Sequence, residues 1–243
     1  MATVDEHYEK LLAGIYVWML GDPDEALAKA KAEIEAIGLP SGSGQVADLG
    51  AGAGYHSLAL ADNGYRVHAI DTSSELLETL REQAGDRDIT VHEGDLLDFA
   101  NHVDEKLDAV LCMGDTLTHL PSRDDVSRLI DTAAGSLVAG GVLCLTFRDY
   151  TSPLEGNARF IPVRSDDSRC MTCFLEYEPD YVRVHDLVHE RGEDGWRFRA
   201  SSYPKLRLDP DWVARQMTEA GLNVERQPGL GGMLRFVGSK SQA

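Results

Sequence analysis

The sequence is poor in positive charge, in cysteine and in long apolar runs. Lysine and arginine together number 23 against 41 aspartates and glutamates, so the formal net charge is −18. A surface of this sign repels phosphate backbones and anionic lipid headgroups. We therefore expect neither a nucleic acid nor a membrane as a partner.

The four cysteines, at positions 112, 144, 170 and 173, are too few and too scattered for a disulfide framework in a chain of 243 residues. The apolar run from Leu11 to Leu20 is too short to span a bilayer, and acidic residues precede it where a secretory signal would be basic. With 43% hydrophobic residues the chain can bury a full core. These features predict a globular, cytoplasmic protein, and no pattern indicates an oligomeric state.

Apolar, strand-like runs alternate with helical segments between residues 45 and 150. Aspartates stand at or just beyond the predicted strand ends, at positions 48, 71, 95, 115 and 149. Between the fourth and fifth strands, a helix is predicted to begin after Ser122 and to end at Gly140-Gly141. Strands joined in this way form a mostly parallel sheet with helices on both faces. Ligands bind such sheets beyond the carboxyl ends of the strands, where the aspartates would collect.

The predicted fold is α/β, doubly wound and Rossmann-like, with four segments. Residues 1–40 are predicted to form a helical lid, and residues 41–150 the ligand-binding core. Short β-branched and aromatic runs predict an antiparallel β insertion over residues 151–208, placed above the site because it follows the fifth strand. Residues 209–243 supply a helix and the closing strands of the core.

The stretch VADLGAGAGYHSLAL, Val46 to Leu60, places alternating glycines at 50, 52 and 54 between a strand and a helix. Backbone N–H groups can then face a ligand that meets no Cβ atoms. A dinucleotide fingerprint, G-x-G-x-x-G, would require a glycine where Tyr55 stands. Asp48 at the strand end also disfavours a pyrophosphate and favours a cationic ligand.

Two further strand ends describe the rest of this ligand. Asp71, at the end of the second strand, can accept hydrogen bonds from both hydroxyls of a ribose. Asp95 offers an acceptor for an exocyclic amine, and Leu96 beside it offers an apolar surface for a purine ring. A ribose, an adenine and a positive centre without phosphate describe S-adenosylmethionine.

The motifs VADLGAGAGYHSLALA, VHAIDTSSELL, HEGDLLDF and LDAVLCMGDTLTHL together resemble those of class I S-adenosylmethionine-dependent methyltransferases. The resemblance implies a seven-stranded sheet with an antiparallel last strand, and it places Met113 and Gly114 beside the methionyl part of the cofactor. The segment CMGDTLTHL is also similar to small-molecule N-methyltransferases of the glycine and sarcosine type. The predicted cofactor site comprises Asp48, Gly50, Ala51, Gly52, Gly54, Tyr55, Asp71, Thr72, Asp95, Leu96, Met113 and Gly114.

Candidates for the acceptor side follow the fourth and fifth strands. Asp115 and His119, four residues apart, would face the crevice, and a histidine can serve as a general base at neutral pH. Arg148 and Tyr150 would bind a carboxylate or form part of an aromatic cage around an amine. These four are the predicted catalytic residues. Further candidates are Tyr8, Tyr16, Trp18, Tyr203 and Arg207, and every one of these side chains also has an ordinary explanation as a packing or capping residue.

A metal site is the competing interpretation of one cluster, formed by Cys170, Cys173, His185 and His189, whose spacing comes near that of a zinc site. A zinc finger needs a helix to bring its histidines together, whereas YVRVHDLVHE alternates as a strand does. On a strand the two histidines would lie roughly 13 Å apart. We therefore expect no metal.

The sequence thus predicts an enzyme that transfers a methyl group from S-adenosylmethionine to a nitrogen or oxygen of a small-molecule acceptor and releases S-adenosylhomocysteine. One alternative is an NAD(P)-dependent oxidoreductase on a similar sheet, against which Tyr55 and Asp48 argue. The other is a non-catalytic protein that binds S-adenosylmethionine, which would show cofactor binding without turnover.

Overall fold

The computed structural model describes residues 11–39, 42 and 44–242, so Tyr8 lies outside the described residues. Two helices, α1 (Ala13–Leu20) and α2 (Pro23–Ile37), precede the core. The core elements are β1 (Gln45–Leu49), α3 (Tyr55–Asp62), β2 (Arg66–Asp71), α4 (Ser74–Ala84), β3 (Ile89–Glu93), β4 (Leu107–Cys112), α5 (Arg123–Ser136) and β5 (Leu137–Phe147). There follow β6 (Phe160–Ser165), β7 (Arg169–Tyr177), β8 (Tyr181–Gly192), β9 (Gly195–Leu206), α6 (Pro210–Glu219), β10 (Leu222–Pro228) and β11 (Leu234–Lys240). No helix among the described residues is long and apolar enough to cross a membrane.

Seven strands form the main sheet in the order β10-β11-β5-β4-β1-β2-β3. Strand β11 runs antiparallel to both of its neighbours, and β1 to β5 run parallel to one another. Apolar clusters cover both faces: α2, α3 and α4 supply one, and α5 and α6 supply the other. Strand β1 is buried along its whole length, as expected of a central parallel strand. The predicted doubly wound fold with an antiparallel last strand is confirmed.

Helix α5 begins as its sequence predicts but ends earlier. Ser122 accepts a hydrogen bond from the backbone N of Asp125 at 3.2 Å and donates one to its carboxylate at 2.7 Å. The helix ends at Ser136, and β5 runs from Leu137 through both glycines of the predicted helix end. The prediction was wrong because Leu137 pairs with Leu107 of β4, and the register shift before Ala109 takes up the extra residues.

Strands β6 to β9 form a separate antiparallel sheet in chain order. One face of this sheet is largely buried, and it carries apolar side chains together with a few polar ones. That inner face comprises Met171, Cys173, Leu175, Val182, Val184, Asp186, Val188, Tyr203 and Lys205. It packs against α1 at one end and against Tyr150, just beyond β5, at the other.

The registers of β7 and β8 argue against the zinc interpretation. Cys170 pairs with His189 and Cys173 with Asp186, so the two cysteines lie on opposite faces of the sheet. The Sγ atom of Cys173 donates to Asp186 on the inner face at 2.8 Å. On the other face, His185 pairs with Glu176 at 3.0 Å. The four side chains therefore do not surround one point.

A stack of three histidines at the β2–β3 side of the main sheet predicts acid sensitivity. The ring centroids of His68 and His92 lie 5.4 Å apart, and those of His92 and His102 lie 4.8 Å apart. Burial lowers the pKa of both His68 and His92, and positive charge on Arg66 or His102 lowers them further. The folded state then binds fewer protons than the unfolded state. The free energy of unfolding is therefore highest above about pH 6.5, and it decreases as the pH drops from there through the lowered pKa values of the two histidines.

We expect the urea concentration at the unfolding midpoint of the wild type to decrease when the pH is lowered from about 8 to about 5.5. The variant His92→Gln should show a smaller decrease. The measurement is urea unfolding at both pH values for both proteins. Equal slopes against pH in the two proteins would contradict the assignment.

Candidate active site

The glycine turn after β1 holds all three glycines in a conformation that favours glycine, and packing adds a second reason at two of them. Gly50, Gly52 and Gly54 all have positive φ, at 72°, 55° and 83°. A Cβ atom at Gly50 would collide with the side chain of Thr116, and one at Gly54 with that of Leu80. Backbone conformation therefore favours glycine at all three positions and the chain's own packing requires it at Gly50 and Gly54, while the close approach of a ligand to this turn stays a prediction.

Gly52 lies between Asp71 and Tyr16. Its backbone N donates to Asp71 Oδ2 at 2.8 Å, and the backbone N of Ser73 donates to Asp71 Oδ1 at 2.8 Å. A carboxylate has about four lone-pair positions, so these two bonds leave Asp71 able to accept further hydroxyl groups. Burial raises the pKa of Asp71, and the backbone hydrogen bonds counteract part of that rise.

Tyr16 of α1 covers the glycine turn. A Cβ atom on Gly52 would lie 3.6 Å from both the ring and the hydroxyl of Tyr16, which is ordinary contact distance. Burial and the nearby charge of Asp71 raise the pKa of Tyr16 to about 12, while Lys205 acts in the opposite direction. Trp18, two residues further along and so on the other side of the helix, points instead to the β6–β7 hairpin, where it donates to Asp166 at 2.5 Å.

Three other predicted cofactor residues differ in how far they are buried. Asp48 is buried, with its carboxylate accepting from Ser57 Oγ at 2.6 Å, so only its charge reaches the site. Asp95 is exposed and caps the 3₁₀ turn Leu96–Asn101 through the backbone N of Leu97 at 2.8 Å. Gly114 is exposed at φ 70°, and a Cβ atom there would meet nothing within 4 Å.

Asp115 is the centre of a buried polar cluster on the acceptor side. It has φ 76°, a left-handed conformation that aspartate tolerates better than most residues. Its Oδ1 accepts from the backbone N of Arg148 at 2.9 Å. Its Oδ2 accepts from Tyr150 Oη at 2.8 Å and from Lys205 Nζ at 2.5 Å. Burial and the Asp115 charge raise the pKa of Tyr150 well above its usual range.

Sequence reasoning missed Lys205, Cys173 as a thiol, and Asp186. Lys205 is 9% exposed, and its ammonium also lies 5.7 Å from the centre of the Tyr203 ring. One sequence feature could have indicated Lys205. It stands two residues after Tyr203 on a strand of alternating pattern, so it lies on the same inner face, where an apolar residue would be usual. Burial and Asp186 raise the pKa of the Cys173 thiol, so this cysteine is not a poised nucleophile.

Of the four predicted catalytic residues, the structure brings Asp115 and Tyr150 into direct contact. His119 lies on the 3₁₀ turn Thr116–His119 and stacks on Tyr203, with ring centroids 5.5 Å apart. The Arg148 guanidinium is exposed and donates to the carbonyl of Gly231 at 2.7 Å. Its role as a ligand for the acceptor stays a prediction, and it is its backbone N that takes part in the Asp115 cluster.

Arg207 is a structural clamp rather than an acceptor ligand. Its guanidinium donates to backbone carbonyls at the start of the β insertion, those of Tyr150 at 3.0 Å and Thr151 at 2.9 Å, and in the β7–β8 turn, those of Glu178 at 2.6 Å and Pro179 at 3.2 Å. These bonds use the planar fork that distinguishes arginine from lysine.

Arg207→Lys is expected to lower the free energy of unfolding by about 1–3 kcal/mol, because four backbone carbonyls, two of them partly buried, lose their donors. Arg199→Lys, on strand β9 that ends just before Arg207, lies in a pair with Glu190 at the surface and should change it by less than about 0.5 kcal/mol. Urea unfolding of both variants tests this, and equal effects would contradict the clamp.

The sheet order and the ligand-facing carboxyl edge define the fold of class I S-adenosylmethionine-dependent methyltransferases. Residues 46–141 match the family model described as a methyltransferase domain. An amino pentose methyltransferase from Micromonospora echinaspora, solved with S-adenosylmethionine bound, superposes with a TM-score of 0.76 at 18% identity, covering 94% of this chain and 96% of that one.

Two curated relatives are N-methyltransferases. The glycine/sarcosine N-methyltransferase of Aphanothece halophytica is 35% identical over 117 residues, which are 47% of this chain and 44% of that protein. The human glycine N-methyltransferase is 26% identical over 228 residues, 82% of this chain and 77% of that protein. The chain thus spans about half the length of the first of these relatives.

Proposed function

We propose that this protein is an S-adenosylmethionine-dependent methyltransferase that acts on a nitrogen of a small-molecule amine. The observation that carries the proposal is the set of carboxylates at the carboxyl edge of the sheet: Asp48, Asp71 and Asp115 are gathered there with one buried cation, Lys205. A site of this charge favours a positive sulfonium and disfavours a pyrophosphate.

The residues present fit the cofactor. Asp71 has lone pairs left for ribose hydroxyls beyond its bonds to Gly52 and Ser73. The space in front of Gly114 is open, as a methionyl chain beside β4 requires. When bound, S-adenosylmethionine supplies an electrophilic methyl group on a positive sulfur. The protein's part is to align the acceptor with that carbon and to keep water out.

The acceptor side supports an amine. Tyr150, Tyr203 and Tyr16 surround Asp115 and Lys205, and aromatic rings with a carboxylate suit an amine better than an anion. The curated relatives are named for N-methylation of glycine and sarcosine, which supports nitrogen as the methylated atom. His119 is proposed as the base for an acceptor that arrives protonated.

The test is methyl transfer from methyl-labelled S-adenosylmethionine to a panel of amines, phenols and carboxylic acids, read by mass spectrometry. Transfer to amines supports the proposal. Transfer to phenols alone would show that oxygen, not nitrogen, is the methylated atom. Tight binding of S-adenosylhomocysteine without transfer to any acceptor would favour a non-catalytic binding protein.

We place the reaction in the cytoplasm. All four cysteines are free thiols, and Cys112 and Cys144 are buried, which suits a reducing compartment.

A further inference from the structure

The charges around Asp115 bear on the kind of amine that this site accepts. Lys205 neutralises Asp115, yet Asp186, 1% exposed, lies on the same inner face of the second sheet, where it accepts from Cys173. Asp71 and Asp48 approach from the other side, since their charges act on Tyr16 together with that of Lys205. Four carboxylates thus face one buried ammonium.

Among the residues that the structure describes, the other cations do not reverse this balance. The Arg207 guanidinium is bound to four backbone carbonyls. The Arg148 guanidinium acts on Tyr150 and Cys173, but it is exposed to water and bound to Gly231. His56 behind Asp48 is paired with Glu33 at 3.0 Å, so that pair adds no net positive charge. Even with Arg148 counted in full, the carboxylates outnumber the cations.

Lys205 nevertheless has bonding capacity left. An ammonium has three donor hydrogens, and the hydrogen bond that the structure gives it goes to Asp115 Oδ2. A buried donor is costly to leave without an acceptor, so a ligand oxygen beside Lys205 is favoured. Because the surrounding field is negative, a neutral hydroxyl oxygen suits this place better than another carboxylate.

Building on the proposed function, we propose that the acceptor is a hydroxylated amine without a carboxylate. The surrounding carboxylates disfavour a second anion, and Lys205 donates to the acceptor's hydroxyl group while its charge offsets part of that negative field. Amino alcohols and amino sugars belong to this chemical class, whereas free amino acids, including glycine, are disfavoured. Glycine, which the names of the curated relatives give as their substrate, would then be a poor acceptor for this protein.

Two matched pairs of probes isolate the carboxylate: ethanolamine against glycine, and serinol against serine, each differing by a CH₂OH group in place of COO⁻. The readout is the release of S-adenosylhomocysteine above that seen without amine. We expect each amino alcohol to be used with a kcat/KM at least about 10-fold above that of its amino acid.

Variants of Lys205 test its part in this preference. Lys205→Met removes the only buried positive charge that this site has among the described residues, so the ratio within each pair should rise several-fold further. Lys205→Arg keeps the charge and should leave the ratio within about threefold of the wild type. Because each ratio is internal to one protein, partial unfolding of a variant does not alter it.

The outcomes separate this inference from the proposed function. Equal or faster use of glycine and serine, or an unchanged ratio in Lys205→Met, would overturn the inference and leave methyltransferase activity standing. Release no faster with any of the four probes than without amine would also overturn it. Failure of the wild type to bind S-adenosylhomocysteine would overturn the proposed function itself.

Discussion

Asp71→Asn is expected to weaken the binding of S-adenosylhomocysteine by about 10- to 150-fold, or about 1.5–3 kcal/mol. The carboxylate holds the backbone N of Gly52 at 2.8 Å and is the acceptor assigned to the ribose hydroxyls. The asparagine amide keeps one acceptor oxygen but replaces the other with an NH₂ donor. That donor would oppose the N–H of Gly52 and a ribose hydroxyl, so hydrogen bonds to this position are lost. Isothermal titration calorimetry measures the change.

The matched control is Glu93→Gln at the end of the neighbouring strand β3. Glu93 pairs with Asp71 in the sheet register but is exposed. We expect the dissociation constant of Glu93→Gln for S-adenosylhomocysteine to stay within about twofold of the wild-type value. A dissociation constant for Asp71→Asn that matches this control would remove Asp71 from the cofactor site.

Removal of the Asp115 carboxylate should produce the largest loss of stability. Asp115→Ala is expected to lower the free energy of unfolding by about 3–5 kcal/mol, because the Lys205 ammonium is left buried without its counter-charge. The same change deprives Tyr150 and the Arg148 backbone of their acceptor and puts alanine at φ 76°. Urea unfolding measures the loss.

A double-mutant cycle separates the ion pair from these other effects. Asp115→Asn keeps a residue that tolerates the left-handed conformation, and it is combined with Lys205→Met. We expect a coupling energy of about 1–3 kcal/mol for this pair. The exposed pair of Arg199 and Glu190, 3.4 Å apart, serves as the control and should show less than about 1 kcal/mol. Equal coupling in both cycles would contradict a buried, functional pair.

The core and the grouping of aspartates at the carboxyl edge of the sheet could be predicted from the sequence because their signals are local. Strand β1, its glycines and Asp71 are contiguous or follow at the spacing of one βαβ unit, and parallel strands bring their ends together by topology. Ser122 likewise caps α5 with a partner three residues away. The end of α5 escaped prediction because the pairing of Leu137 with Leu107 is a contact across 30 residues.

The acceptor side was less predictable because its contacts join distant segments. Lys205 meets Asp115 across 90 residues, and nothing in SSYPKLRL marks that partner. Arg148 and Arg207 were predicted to bind the acceptor because arginine commonly binds carboxylates. In the structure the guanidinium of Arg148 donates to the carbonyl of Gly231, and that of Arg207 donates to the carbonyl of Tyr150. The alternating pattern of β9 carried the useful information, since it set Tyr203 and Lys205 on the inner face.

The most direct test of the central claim is isothermal titration of the wild-type protein with S-adenosylhomocysteine and, separately, with NAD⁺. The account predicts saturable binding of S-adenosylhomocysteine with one site per chain and no heat of binding with NAD⁺, because the carboxylates at the sheet edge repel a pyrophosphate. Binding of NAD⁺ without binding of S-adenosylhomocysteine would contradict it.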